Sequence, residues 1–263
     1  MPVFNMKKLS PIPTFFWKIL FIVIVLFAWE IVARLQIFSS FVFPSITGTI
    51  IYMTTHPSRL LDASWGTFKL LLIGLAIGSL LSLTASAIAS LSKKLRIVLE
   101  TYVTIANPIP STSILPFALL WFGLGERPII FVTMFSSLCP FIIAALSGFQ
   151  TIKGIYWDVG KMYGLSKANL TRHILLPASF PHILTGFRTA WGSSWRTVVA
   201  AELVFGAVGQ GGGLGWLIYV NRFQLNPAGM LACLICICII GIIAEQVLEL
   251  TERKTIKKWG MKV

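Results

Sequence analysis

Charge is scarce in this 263-residue chain. Asp, Glu, Lys and Arg make up only 12% of it, about half the share in an ordinary soluble domain. That scarcity excludes a soluble globular protein, and the 56% of hydrophobic residues excludes disorder. Acidic residues are rarest, nine against 22 Lys and Arg, for a net charge of +13. Histidine occurs three times and cysteine four. No paired carboxylates, histidine cluster or nucleophile–base set can be assembled from them, so an enzyme reading has no residues to carry it. Also missing is the phosphate-binding pattern Gly-x4-Gly-Lys-Ser/Thr, since the one Gly-Lys pair, Gly160-Lys161, is followed by Met162. The chain is therefore expected to bind no ATP and to hold no metal or cofactor.

Where charge is missing, apolar sequence is continuous. Residues 70–92, 101–125, 128–152 and 223–244 carry no charge at all, and each exceeds the roughly 20 residues a helix needs to cross a bilayer. A fifth run, 19–33, is interrupted only by Glu30, and a sixth, 190–220, carries Arg196 and Glu202. Spanning strands would instead read as short alternating segments, so a barrel is excluded. The expectation is an all-α, multi-pass membrane protein, one transmembrane domain over 1–263. Its six transmembrane helices are placed near 17–36, 68–91, 99–122, 128–150, 189–210 and 226–249. The first run follows Lys7, Lys8 and Lys18 but is long and lacks a small-x-small cleavage pattern, so it reads as a retained span.

The spans sort the cations into alternating groups. Sixteen of the 22 fall on one side, in the groups Lys7 to Lys18, Lys93 to Arg96, Lys153 to Arg188 and Arg253 to Lys262. Arg34, Arg59, Lys69, Arg127 and Arg222 fall on the other. The positive-inside rule then puts both termini in the cytoplasm. The basic residues are dispersed among loops, which accounts for the charge without nucleic acid.

The cytoplasmic stretch 151–188 is far longer than the usual connection of about 2–8 residues. Ile155 to Tyr163 reads as a short amphipathic helix ended by Gly164 in the left-handed conformation. Ser166 reads as the N-cap of a second helix, Lys167 to Leu176, which Pro177 is expected to stop.

Here the sequence resembles the inner-membrane permease subunits of ABC importers, marked by Glu-Ala-Ala, three residues, Gly, nine residues, Ile-x-Leu-Pro. Asp158-Val159-Gly160 stands in the first triplet, followed by Gly164, Leu165, and Ile174-Leu175-Leu176-Pro177 at matching spacing. The departure is Asp for Glu and Val-Gly for Ala-Ala. Phe43-Pro-Ser45, Asn107-Pro-Ile-Pro110, Leu115-Pro116, Trp121-Phe-Gly-Leu-Gly-Glu126, Ala201-Glu-Leu203, Gly213-Leu-Gly215 and Trp259 extend the resemblance toward the sulfonate, taurine, nitrate and bicarbonate branch. It implies a type I importer permease fold and a homodimer in membrane lipid. It also implies two cytoplasmic ABC ATPase subunits, which bind the ATP and Mg, and an extracytoplasmic substrate-binding protein. Asp158, Val159, Gly160, Gly164, Leu165, Ile174, Leu176 and Pro177 would then form the ATPase-coupling loop, and the solute would be a small anion. Importers of vitamin precursors share much of this pattern.

Ionisable groups inside a span are costly and mark a pathway or a structural pair, so Arg196 and Glu202 are candidate path residues. Glu30, nearer a span end, reads as structural. Asn107, Ser111, Thr112 and Ser113, set among Pro108, Pro110 and Pro116, either line a path or repair hydrogen bonds freed by proline. Gly74 and Gly78 allow close helix packing, internal or at a dimer seam. The glycines of 209–215 read as a turn. Cys233, Cys236 and Cys238 read as small apolar residues, since no His lies near. His173 and His182 have no catalytic partner. The rival from another class is a self-sufficient secondary transporter or channel, which would need a midplane carboxylate cluster or inverted repeats; neither is present.

Overall fold

The computed structural model describes residues 14–37, 39, 41–205 and 212–258, with side chains given at all of them except 14, 15, 18, 152–159, 161, 167, 168, 205 and 255–258. Among the described residues every regular element is helical. The helices are α1 (Thr14–Arg34), α2 (Ile46–Thr55), α3 (Pro57–Ser90), α4 (Lys93–Ala106), α5 (Leu115–Phe122), α6 (Glu126–Met162), α7 (Lys167–Leu170), α8 (Leu176–Ala178), α9 (Phe180–Phe205), α10 (Leu214–Phe223) and α11 (Pro227–Lys258). Among the described residues, three single helical stretches are long and apolar enough to cross a membrane: Pro57–Ser90, Glu126–Thr151 and Pro227–Lys254. Their outer faces remain apolar and exposed, as do those of α1, where Phe21 and Phe27 are both about two-thirds accessible.

The centre is a sandwich of α3, α6 and α9, and glycines set its spacing. A Cβ on Gly74 would stand 2.8 Å from Thr133 Cβ, and one on Gly78 would stand 1.9 Å from Ser137 Oγ. The Gly-x3-Gly stripe is thus an internal seam between α3 and α6. Small residues let the helices approach, and short hydroxyls join them, as in other membrane bundles. Thr197 Oγ1 donates to Ser136 Oγ at 2.9 Å, Ser194 Oγ donates to the Thr133 carbonyl at 3.2 Å, and Ser82 Oγ reaches the Leu138 carbonyl at 3.2 Å. Leu71, Leu75, Leu115, Val132, Ala145, Ala190 and Val198 fill the space between.

Two expected elements differ. The span placed at 99–122 is broken at 107–110, where Pro108 and Pro110 cannot continue a helix. α4 and the following 3₁₀ turn Ser111–Ile114 with α5 meet there at 88°. The short helix expected from Ile155 is instead the end of α6, which runs unbroken for 37 residues past Pro140.

Two helices are started by recognisable local devices. Ser45 Oγ accepts from the Gly48 N–H at 3.0 Å at the head of α2, and Pro57 opens α3. Tyr52 of α2 donates to Asn221 Oδ1 of α10 at 3.2 Å, and Asn226 Nδ2 donates to the same oxygen at 3.2 Å. This network joins α2 and α10 to the head of α11.

Candidate functional site

The long loop forms an elbow. At its apex Gly164 has φ +69°, and the Leu165 N–H bonds back to the Gly160 carbonyl at 3.0 Å. That six-to-one closure with a left-handed glycine is the Schellman arrangement, and it ends α6 as the sequence indicates. Ser166 then caps the next helix, with its Oγ accepting from the Asn169 N–H at 3.3 Å.

The return arm differs from expectation at Pro177, which does not stop the helix. Residues Thr171–Leu175 widen into a π turn, where the Leu176 N–H reaches the Thr171 carbonyl, and Pro177 sits in the first turn of α8. Proline has no N–H to give and its ring crowds the carbonyl four residues earlier, so the widened turn accommodates it.

Gly160 is a point of contact. A Cβ there would lie 2.3 Å from Leu170 Cδ1 and 3.6 Å from Ile174 Cδ1. Leu170 and Leu175, neither singled out in the sequence, are fully buried and lock the two arms together. Ile174, Leu165 and Leu176 are half-buried, and Gly164 and Pro177 are exposed. Asp158 and Val159 ride on the last turns of α6, and their side chains lie outside the described set. Met162 and Tyr163, 86% and 81% accessible, project at the tip as an apolar contact.

The expected path residues do not converge. Asn107 and Ser113 are exposed at the α4–α5 break, with Ser111 and Thr112 half-buried. Glu202 is 1% accessible. Its Oε2 accepts from Thr67 Oγ1 at 2.8 Å and from the Gly215 N–H at 3.0 Å, and Thr67 Oγ1 in turn accepts from the Leu214 N–H at 2.8 Å. The carboxylate therefore sits on the N-terminus of α10, where unpaired N–H groups and the helix dipole favour negative charge. Gly213 makes room for it, since a Cβ there would stand 2.0 Å from Glu202 Oε1. Glu30 does the same for α2, accepting from the Ile46 N–H at 2.8 Å and Thr47 Oγ1 at 2.7 Å. Residues 206–211, in which part of the expected glycine turn falls, lie outside the described residues.

Arg196 opens onto a different place, a cavity of about 700 Å³ between α9 and α11. At one end Arg188 meets three carboxylates of α11: Glu245 at 2.6 Å, Glu252 at 2.9 Å and Glu249 at 3.4 Å. Thr185 also donates to Glu252, and Arg253 pairs with Glu249. The bonds from Glu252 and then Glu245 hold the Arg188 guanidinium protonated above its ordinary range. The cluster is absent from the expected site residues. Its signal was present in the sequence, because Glu245, Glu249 and Glu252 lie four and three apart, on one helix face.

An internally sealed helical bundle with apolar outer faces, a cavity between two long helices and an elbow beyond them is the architecture of a membrane-embedded subunit. The comparisons agree. The model of the family described as "Binding-protein-dependent transport system inner membrane component" matches residues 74–257, and the chain belongs to that family. It is 27% identical over 238 residues to the taurine transport system permease protein TauC of Escherichia coli (strain K12), covering 88% of this chain and 85% of that one. It is likewise 27% identical over 231 residues to SsuC of the same organism, named for aliphatic sulfonates transport, covering 86% and 85%. In structure it is similar to a chain of the MetNI methionine ABC transporter in an inward-facing conformation. The TM-score is 0.64 at 17% identity, over 76% of this chain and 98% of that one. The protein is a permease of an ABC importer, with that fold, in the inner membrane.

Proposed function

We propose that this permease works as a homodimer with two cytoplasmic ABC ATPase subunits and an extracytoplasmic substrate-binding protein, and that it imports a small sulfonate such as taurine. The single observation that carries the coupling is the elbow itself. Its apex is held by the Gly164 turn and the Gly160–Leu170 contact, and it presents Met162 and Tyr163 bare. A docked, rigid elbow transmits a rigid-body motion of the ATPase pair into α6 and α9, which it joins. Asp158, Val159, Gly160, Gly164, Leu165, Ile174, Leu176 and Pro177 build this device, and Mg-ATP is hydrolysed on the partner. The spans number six, with α4 and α5 together as the third, and both termini are cytoplasmic, as the distribution of cations favours. The names of the relatives support sulfonate over nitrate, bicarbonate or a vitamin precursor.

The test is purification of the tagged chain from its own membrane in mild detergent, with mass spectrometry of what accompanies it. A stoichiometric ATPase subunit is the expected result. A chain that purifies alone and transports without ATP after reconstitution would replace this reading with a secondary transporter.

A further inference from the structure

The α9–α11 cavity is electrically two-ended. At one end the carboxylates of Glu245, Glu249 and Glu252 face Arg188 and Arg253, three negative charges against two positive. Glu245 borders the cavity with its side chain 45% accessible. On the same lining lies Arg196, exposed and with no ion pair or hydrogen bond to any described residue. Its guanidinium folds back along α9 over Gly192, where a Cβ would stand 3.6 Å from Nη1. The Gln246 amide on α11 is likewise exposed and without a described partner.

Two largely buried tryptophans, each 7% accessible, edge the lining. Trp191 and Trp195 lie parallel, with ring centroids 6.5 Å apart and planes 4° from each other. Trp195 fits against α11 because Gly241 has no side chain, since a Cβ there would stand 3.1 Å from its Nε1. Aromatic faces attract an ammonium and shield a short carbon chain from water. A guanidinium and an amide together recognise an oxyanion.

We infer that this cavity binds a small zwitterion, an aminosulfonate, with its sulfonate at Arg196 and Gln246 and its ammonium at Glu245 beside the two tryptophans. The inference deepens the proposed function and rests on it. An inorganic anion such as nitrate has neither a carbon chain for Trp191 and Trp195 nor a cation for Glu245. A phosphatidylethanolamine headgroup carries the same pair of charges as an aminosulfonate, so the test must separate the two sources.

The full-length protein in phosphatidylcholine nanodiscs is titrated calorimetrically with taurine, ethanesulfonate and nitrate. Taurine is expected to bind about ten-fold tighter than ethanesulfonate, as one charge-assisted contact provides, and nitrate weaker than either. Arg196→Gln should weaken both sulfonates about ten-fold or more, and Glu245→Gln should weaken taurine alone by a similar factor. Arg196→Lys, which keeps the charge but not the guanidinium fork, should fall between Arg196→Gln and wild type and shows that the site survives substitution. Absence of taurine binding overturns the inference. So does wild-type affinity in both neutral variants, or equal weakening of ethanesulfonate by Glu245→Gln, which would mark a structural role. Repeating the titration with phosphatidylethanolamine in the nanodiscs assigns the site. Unchanged taurine affinity supports a soluble zwitterion, and competition supports the lipid headgroup at the same residues. Failure of the ATPase to co-purify with the wild type would overturn the permease reading and leave these titrations as they are.

Discussion

Thr67 and Glu202 stand 135 positions apart and share a 2.8 Å hydrogen bond in the buried centre of the bundle. Thr67 passes the contact on, because its Oγ1 also accepts from the Leu214 N–H. The pair therefore ties α3, α9 and the start of α10 at one point. A charge otherwise costly in a membrane is here a helix cap.

Replacing Thr67 with Val keeps the shape and removes both bonds. The Leu214 N–H and a carboxylate lone pair are then buried without partners, at about 1–3 kcal/mol. Thermal unfolding of the purified protein should show that loss. Glu202→Gln, which keeps an oxygen able to accept from Thr67 and Gly215, should cost distinctly less than Glu202→Ala.

Gly164 has open space around it, with nothing within 4 Å of an added Cβ, so only its backbone resists substitution. At φ +69° a side chain costs about 1–2 kcal/mol, and a β-branched one is the least tolerated. Gly164→Val should leave the spans folded and uncouple ATP hydrolysis from uptake. Gly164→Asn should retain coupling, because asparagine tolerates this region. Assaying uptake and hydrolysis together, with the ATPase and binding protein present, distinguishes the two variants.

Gly78→Leu places a branched side chain where Ser137 Oγ and the Met134 carbonyl stand 1.9 Å and 2.7 Å from the first added atom. The cost should reach or exceed about 3 kcal/mol, the upper end for overpacking. Size-exclusion chromatography should show lost folded yield. A well-folded monomer would instead place this glycine at a dimer seam.

Arg188→Ala leaves Glu245, Glu249 and Glu252 facing one another, with Arg253 the one described cation still paired to them. The cluster is partly solvated, so the expected loss is about 1–3 kcal/mol and not the full cost of a buried pair. Adding Glu252→Gln to Arg188→Ala should recover part of it by removing repulsion. A double-mutant cycle on unfolding temperature measures the coupling.

Features carried by neighbours in the chain were legible before any coordinates. The uncharged runs identified membrane helices because a bilayer penalises charge locally, whatever the helices later touch. The Gly164 turn and the Ser166 cap were legible too, since each is completed by backbone groups within five residues. Pro177 misled, because its effect depends on whether the helix can widen, and here it does.

What only the tertiary structure decided is which faces meet. Gly74 and Gly78 announce close packing in the sequence, yet their partners Thr133 and Ser137 lie on another helix and could equally have lain on another subunit. Glu202 and Arg196 look alike as charges within one apolar run. One is sealed against α3 and α10, and the other opens into a cavity beside α11. The fate of a polar group turns on the second helix brought against it, and helix pairing is set by shape and hydrogen bonds summed over the whole bundle. The run of residues around a charge determines only that it must find a partner or water.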